Sequence, residues 1–325
     1  MTPEEICRAH WFEPSQCRPF GDGHINDSFL VSNDGNEYVL QRVNRFVFHR
    51  AGEVMDNITR VSRFVASSSL VQLASLVPVK SGADYAWVND DVWRLWRRLP
   101  GRTLQRLETR RQAQSVASAY GRFQVALAGL PGEPWADPIE GFFRLPYYVG
   151  QYESVRQKKN EWDAEIDSLL PLVERFSKRD CYIHGDCKVN NVLLDTDDEV
   201  TAVLDLDTVM YGHWAWDFGD LARSACSRGG EFDLDLFAGV LDGFAPSFAM
   251  RGAEPDVDDL FQAPCYVAGI LALRFLTDHL QGDLYFKVLR RGDNLLRAQE
   301  QFKLLDSMRR NNHEMKRLAM LAIEE

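Results

Sequence analysis

The apolar positions of this 325-residue chain change period partway along it. Near the start they alternate over short runs. Residues 27–31 and 37–43 read as two strands joined by the turn Asn33-Asp34-Gly35-Asn36, and a glycine-containing turn, residues 21–26, leads into the first. Residues 85–88 and 92–96 form a second pair around Asn89-Asp90-Asp91. Between the pairs, Val54, Ile58, Val61 and Val65 recur at helical spacing, which predicts a helix over 49–65. A short helix over 2–10, with Thr2 as its cap and Pro3 in its first turn, precedes all of this.

Leu99-Pro100-Gly101 breaks the pattern, and a hinge is expected at 96–101. It divides a strand-rich part, 1–98, from a mostly helical part, 99–325. The helical part is expected to contain helices over 103–130 (capped by Thr103), 152–176, 216–226, 233–244, 256–280 and 294–321. Residues 131–150 read as a loop. Two short strands, 191–194 and 202–206, flank the polar turn 195–199. The fold class is α+β with two lobes. Strand, strand, helix, strand, strand is the order of the small lobe of a kinase-like fold.

Composition adds exclusions. A net charge of −11 argues against general nucleic-acid binding, which depends on neutralising phosphates. Six cysteines without a C-x-x-C pair read as reduced thiols. The first residues lack an export signal, and no run approaches 18 apolar residues. The expectation is a cytoplasmic protein with no nucleic-acid or membrane partner and an open oligomeric state.

The chemistry concentrates in Cys181–Asp207. His184-Gly185-Asp186-Cys187-Lys188-Val189-Asn190-Asn191 is followed by Val203-Leu204-Asp205-Leu206-Asp207. A kinase catalytic loop needs an Asp to orient the acceptor hydroxyl, an Asn five residues later on Mg²⁺, and a further Asp bridging Mg²⁺ to phosphate. Asp186, Asn191 and Asp205 occupy those places; Asn190 is one residue short. Lys188 would put an ammonium beside the transferring phosphoryl. His184 reads as structural. Asp207 is expected on the strand face of Asp205. Asp217-Phe218-Gly219 is spelled like a kinase D-F-G but comes too late, so Asp217 reads as a brace for the catalytic loop from a helix start.

These motifs, together with Trp216-Asp217-Phe218-Gly219-Asp220-Leu221, resemble the aminoglycoside phosphotransferase and choline kinase group. A narrower likeness links 23–29, 38–44, 54–58, 184–191 and 277–286 to N-acetylhexosamine 1-kinases. The resemblance implies a two-lobed protein-kinase-like fold, ATP at the hinge, Mg²⁺, and phosphorylation of a sugar's anomeric hydroxyl. Gln41, Arg42, Trp96 and Arg97 are then the expected nucleotide contacts, and His24, Asn26, Asp27 and Arg297, with Asp283, the expected sugar contacts. One departure stands out. The strand position where kinases carry a phosphate-holding lysine appears as Gln41, so the phosphate charge falls to Mg²⁺, to Lys188 or to a residue the sequence does not place. The alternatives are a kinase for an amino alcohol or an aminoglycoside, and an inactive kinase-like binding protein, for which Gln41 is the only support.

Overall fold

The computed structural model describes residues 1–21, 25–131, 135–158 and 162–324. Helix α1 (Pro3–His10) starts with a complete capping box between Thr2 and Glu5. Strands β1 (Gln16–Pro19), β2 (Asp27–Asn33) and β3 (Asn36–Arg42) precede helix α2 (Ala51–Val65), and β4 (Ala86–Val88) and β5 (Asp91–Arg97) follow it. The strands form one antiparallel sheet in the order β1-β2-β3-β5-β4. The sequence reading lacked β1, whose four residues, Gln-Cys-Arg-Pro, carry no alternation.

Both faces of this sheet are covered, and strand periodicity sorts the side chains between them. Leu40, Trp93 and Leu95 pack with Ile6, Cys7 and Trp11 beneath α1. Val43, Val92 and Trp96 join the core that contains α2 and most of the helical part. Gln41 and Arg94, register partners on β3 and β5, fall on this inner face. The Asn33–Asn36 turn lies at the far end of the β2–β3 hairpin. At the opposite end, Asn26, just before β2, lies beside the candidate catalytic residues and donates to Asp207.

Helix α3 (Arg110–Leu127) is capped by Thr109, later than the expected Thr103, because Arg102 pairs in extended form with Leu194. The stretch read as a loop contains the start of α4 (Leu145–Val155), where Pro146 sits in the first turn, the one place a helix tolerates it. The single helix expected over 152–176 is instead the end of α4, then α5 (Asp163–Asp167) and α6 (Leu172–Arg175). Strands β6 (Cys181–Ile183), β7 (Val192–Leu194), β8 (Val200–Val203) and β9 (Met210–Gly212) form two antiparallel pairs, β6 with β9 and β7 with β8.

Helix α7 (Trp214–Ala225) follows, then the small pair β10 (Ser227–Arg228) and β11 (Glu231–Phe232). Helices α8 (Leu234–Phe244), α9 (Pro246–Arg251), α10 (Val257–Gln281), α11 (Asp293–Arg310) and α12 (Asn312–Glu324) complete the chain, the last two splitting the one helix expected over 294–321. α10 is long and apolar enough to cross a membrane, contrary to the expectation from apolar runs. Its most apolar window is 72% buried against α4, α7, α11 and α12.

Candidate active site

The catalytic loop leaves β6 at His184. Gly185 has φ +79°, and a Cβ there would stand 2.5 Å from the Thr208 carbonyl oxygen, so only glycine fits. Asp217, at the start of α7, accepts the backbone N–H of His184 at 2.9 Å and of Gly185 at 2.8 Å. Gln124 of α3 donates to the same carboxylate at 3.0 Å. Asp217 is thus the brace its position suggested. His184 is fully buried, its Nε2 against the Leu204 carbonyl at 2.8 Å. Burial pushes the Asp217 carboxyl up, and the donors around it only partly offset that.

This frame presents Asp186 at the cleft. Lys188 Nζ lies 2.7 Å from Asp186 Oδ1, and Asn191 Nδ2 donates to Asp186 Oδ2 at 2.8 Å and to its carbonyl at 3.0 Å. Burial alone would raise the Asp186 carboxyl. The Lys188 ammonium, His184 and Asn191 outweigh it, and the group sits below its ordinary value. The Lys188 ammonium is held up in turn, burial being outweighed by Asp186 and Asp220. With its Nδ2 committed, Asn191 keeps its amide oxygen for a cation.

Strand β8 ends at Val203, and Asp205 takes a left-handed conformation, φ 58°. The chain therefore does not continue the expected alternation, and Asp207 does not share a face with Asp205. The Asp205 side chain is exposed at the cleft and has no hydrogen bond or ion pair among the described residues. The protein packed around it, then Asp207 and Asp186, push its carboxyl up to about 7. A crowded carboxylate without a partner and a free amide oxygen suit Mg²⁺, which takes a few protein oxygens and completes its shell with phosphate and water. No three His, Cys, Asp or Glu side chains among the described residues form a self-sufficient metal site.

Asp207 is turned inward and is 2% exposed. Its Oδ1 lies 2.5 Å from Nη1 of Arg94, an ionic contact without hydrogen-bond alignment. Its Oδ2 accepts from Asn26 at 2.6 Å. Arg94, 1% exposed, also donates to Gln41 Oε1 at 3.0 Å. Sequence reasoning missed Arg94. The signal was a lone charge inside the apolar run Val92-Trp93-Arg94-Leu95-Trp96.

Most of the expected nucleotide and sugar contacts have partners within the protein. Gln41 is occupied within the sheet, accepting from Arg94 and Trp96 and donating to Ser28 at 3.1 Å. Arg42, on the outer face, pairs with Asp27 and Asp91 and lies over Trp93. Trp96 is buried and spends its indole N–H on Gln41, while Arg97 lies over Tyr38. Asn26 is engaged by Asp207 and by the Asn44 backbone N–H. Asp27 is held by Arg42 and stands 3.7 Å from Lys287. Arg297 donates to the Lys287 carbonyl and to Asn294, and Asp283 accepts from Asn294, so both brace the segment after α10. His24 lies outside the described residues.

A second cluster gathers around Arg274 of α10. The Arg274 guanidinium lies 5.2–5.5 Å from the ring centres of Phe142, Tyr148, Tyr285 and Phe286 and donates to the Tyr285 hydroxyl at 3.2 Å. It forms no ion pair with a carboxylate among the described residues. Burial disfavours its charge. The Tyr148 and Tyr285 hydroxyls favour it, as does the Asp186 carboxylate, which lies close enough to act on it, and the balance lies above the ordinary value. Tyr148 is buried with its hydroxyl unpartnered. Asp278, 3% exposed, shapes this wall: it accepts the backbone N–H groups of Leu284, Tyr285 and Phe286 and the Asn294 amide. The stretch 277–286 was legible as a motif, but Arg274 lay outside it.

Known structures share this architecture. A putative aminoglycoside phosphotransferase from Ralstonia eutropha JMP134 is 16% identical, with a TM-score of 0.63 over 94% of this chain and 97% of that one. The microcompartment-associated aminopropanol kinase is 14% identical, with a TM-score of 0.62 over 96% and 97%. A thermostable mutant of aminoglycoside phosphotransferase APH(4)-Ia, in a ternary complex with ADP and hygromycin B, is 15% identical, with a TM-score of 0.59 over 95% and 98%. At these identities the likeness shows the fold, which is protein-kinase-like. Residues 16–253 match the family described as the phosphotransferase enzyme family, and the chain belongs to that family.

Proposed function

We propose that this protein transfers the γ-phosphoryl group of ATP, with Mg²⁺, to a hydroxyl of an uncharged sugar, an N-acetylhexosamine phosphorylated at its anomeric position. The observation that carries the acceptor class is Arg274. A fixed guanidinium without a counter-ion, within the field of Asp186, repels a polycationic aminoglycoside or an amino alcohol. Its fork, with the Tyr148 and Tyr285 hydroxyls, offers directional hydrogen bonds, and the rings of Phe142 and Phe286 offer an apolar face. Sugars need both.

Asp186 accepts the hydroxyl's hydrogen bond and then its proton. Its depressed affinity for protons makes it a weak base, which suits a loose phosphoryl transfer in which the proton leaves late. Lys188 and Asn191 fix the direction of its lone pairs. The Lys188 side chain is 41% exposed, so its ammonium can also face the transferring phosphoryl. Asn191 and Asp205 are the residues that would hold Mg²⁺, which neutralises charge on the phosphates when bound. The six cysteines, all free, suit a reducing, cytoplasmic compartment.

The test is a rate comparison over GlcNAc, GalNAc, choline, aminopropanol and kanamycin with MgATP, the phosphorylated position being read by NMR. Turnover of an N-acetylhexosamine at its anomeric oxygen is the expected result. Turnover confined to the cationic acceptors would remove the reading.

A further inference from the structure

Gln41 leaves the nucleotide site without the cation that kinases place on this strand. The structure places one nearby. Arg94 is the register partner of Gln41 on the adjacent strand and shares its inner face. It is bonded to Gln41 Oε1, 5.2 Å from the Trp96 ring and 3.7 Å from the Met55 sulfur on α2. We propose that Arg94 is the positioning residue that takes over the missing lysine's role, acting through its buried ion pair with Asp207.

The reasoning starts from cost. Asp207 and Arg94 are both almost fully buried, and a buried charge persists only when paired. The usual kinase pair joins the β3 lysine to a glutamate on the following helix, tying the sheet to that helix. Here α2 presents Met55 to Arg94 instead of a carboxylate, and the pair joins the sheet to the metal-binding loop.

Two consequences follow. Asp207 is neutralised, so its charge does not add fully to that of Asp205 two residues earlier. Its second oxygen is free to hold Asn26, whose own Oδ1 accepts the Asn44 backbone N–H. Arg94 thereby fixes Asn26, and through it the start of β2, against the strand pair that carries Gln41. The ion pair sets both the position of Asn26 and the charge around the candidate metal ligands.

This inference rests on the nucleotide reading of the cleft, and the experiment separates the two. Binding of Mg·AMP-PNP to the unaltered protein is measured first by calorimetry. Absence of binding overturns the nucleotide reading and this inference together. Arg94→Gln alone strands the Asp207 charge and can unfold the protein, so the informative variant is Arg94→Gln with Asp207→Asn, which removes both charges and keeps both shapes.

That double variant is expected to fold, shown by an unchanged circular dichroism spectrum. It is expected to bind Mg·AMP-PNP about tenfold more weakly and to raise KM for ATP while leaving KM for the acceptor unchanged. A merely structural role would not split the two KM values. A folded double variant with unaltered nucleotide affinity would overturn the proposal. Gln41→Lys added to Arg94→Gln returns a cation to the same face beside Asp207 and is expected to bind Mg·AMP-PNP more tightly than the Arg94→Gln, Asp207→Asn variant; a folded Gln41→Lys, Arg94→Gln protein that binds no more tightly counts against the proposal.

Discussion

Asp217 accepts the Gly185 backbone N–H at 2.8 Å, one residue before Asp186, the proposed proton acceptor. With the 2.9 Å bond to His184, it satisfies two consecutive amides at a turn that β6 does not reach. An asparagine here keeps one acceptor oxygen and sets an amide NH₂ against a backbone N–H. Asp217→Asn is expected to lower stability by about 1–3 kcal/mol, the cost of a buried group left unpaired. It should lower kcat at least tenfold with KM for ATP little changed. Urea denaturation and steady-state kinetics check this, and unchanged stability would refute the brace.

Gly185 makes the same point from the backbone. At φ +79°, with the Thr208 carbonyl 2.5 Å from any added Cβ, an alanine is strained and also collides. Gly185→Ala is expected to cost more than the ~1–2 kcal/mol of left-handed strain alone, and to abolish turnover. A variant with ordinary stability and activity would mean that the loop takes another path.

The difference between what sequence made legible and what it hid has a physical basis. The catalytic loop was readable because its residues are close along the chain and their spacing is set by one turn and two short strands. Arg94, Asp207 and Asn26 were not readable as a unit, since cross-strand register and a left-handed residue at Asp205 bring them together. Arg297 misled because an arginine beside a cleft motif reads as a ligand, whereas Asn294 and the Lys287 carbonyl engage it. The helix expected over 152–176 is not continuous: α4 ends at Val155, and Pro171, which has no N–H to extend a ladder, stands between α5 and α6.

Asp186 and Lys188 separate chemistry from folding. Asp186→Asn removes the proton acceptor while keeping the Asn191 contact, so kcat is expected to fall about 10²–10⁴-fold with the fold intact. Lys188→Met removes the ammonium that holds the Asp186 carboxyl low. The acidic limb of the kcat/KM profile should then move to higher pH. An unmoved limb would show that Lys188 does not set the ionisation of Asp186.

Asp205 predicts opposite effects on stability and on metal binding. Its carboxyl, pushed up to about 7, binds a proton in the folded state at pH values where the unfolded chain has released it. Stability therefore falls as pH rises from about 4 to about 7, and the cost persists above that in the absence of metal. Asp205→Asn is expected to raise the melting temperature of the metal-free protein at pH 8 and to leave it unchanged at pH 4. In the unaltered protein Mg²⁺ competes with that proton, so metal affinity should weaken toward about tenfold per pH unit below pH 7. A pH-independent effect of the substitution on melting would contradict this.

On the proposed reading, Arg274 selects the acceptor. Arg274→Gln keeps a hydrogen-bond donor and removes the charge among Phe142, Tyr148, Tyr285 and Phe286. If that charge excludes cations, the variant should turn over aminopropanol or kanamycin measurably better than the unaltered protein. Loss of a charged hydrogen bond to a sugar oxygen, worth about 1.5–3 kcal/mol, should raise KM for the sugar about 10–100-fold. KM for ATP should not move if Arg274 serves the acceptor as proposed. The opposite split, with ATP affected and the sugar not, would place the acceptor elsewhere in the cleft. Asp278→Asn offers an independent check: it leaves Arg274 in place but weakens the bonds that carry Tyr285 and Phe286 to it. It should raise the sugar KM without admitting cations.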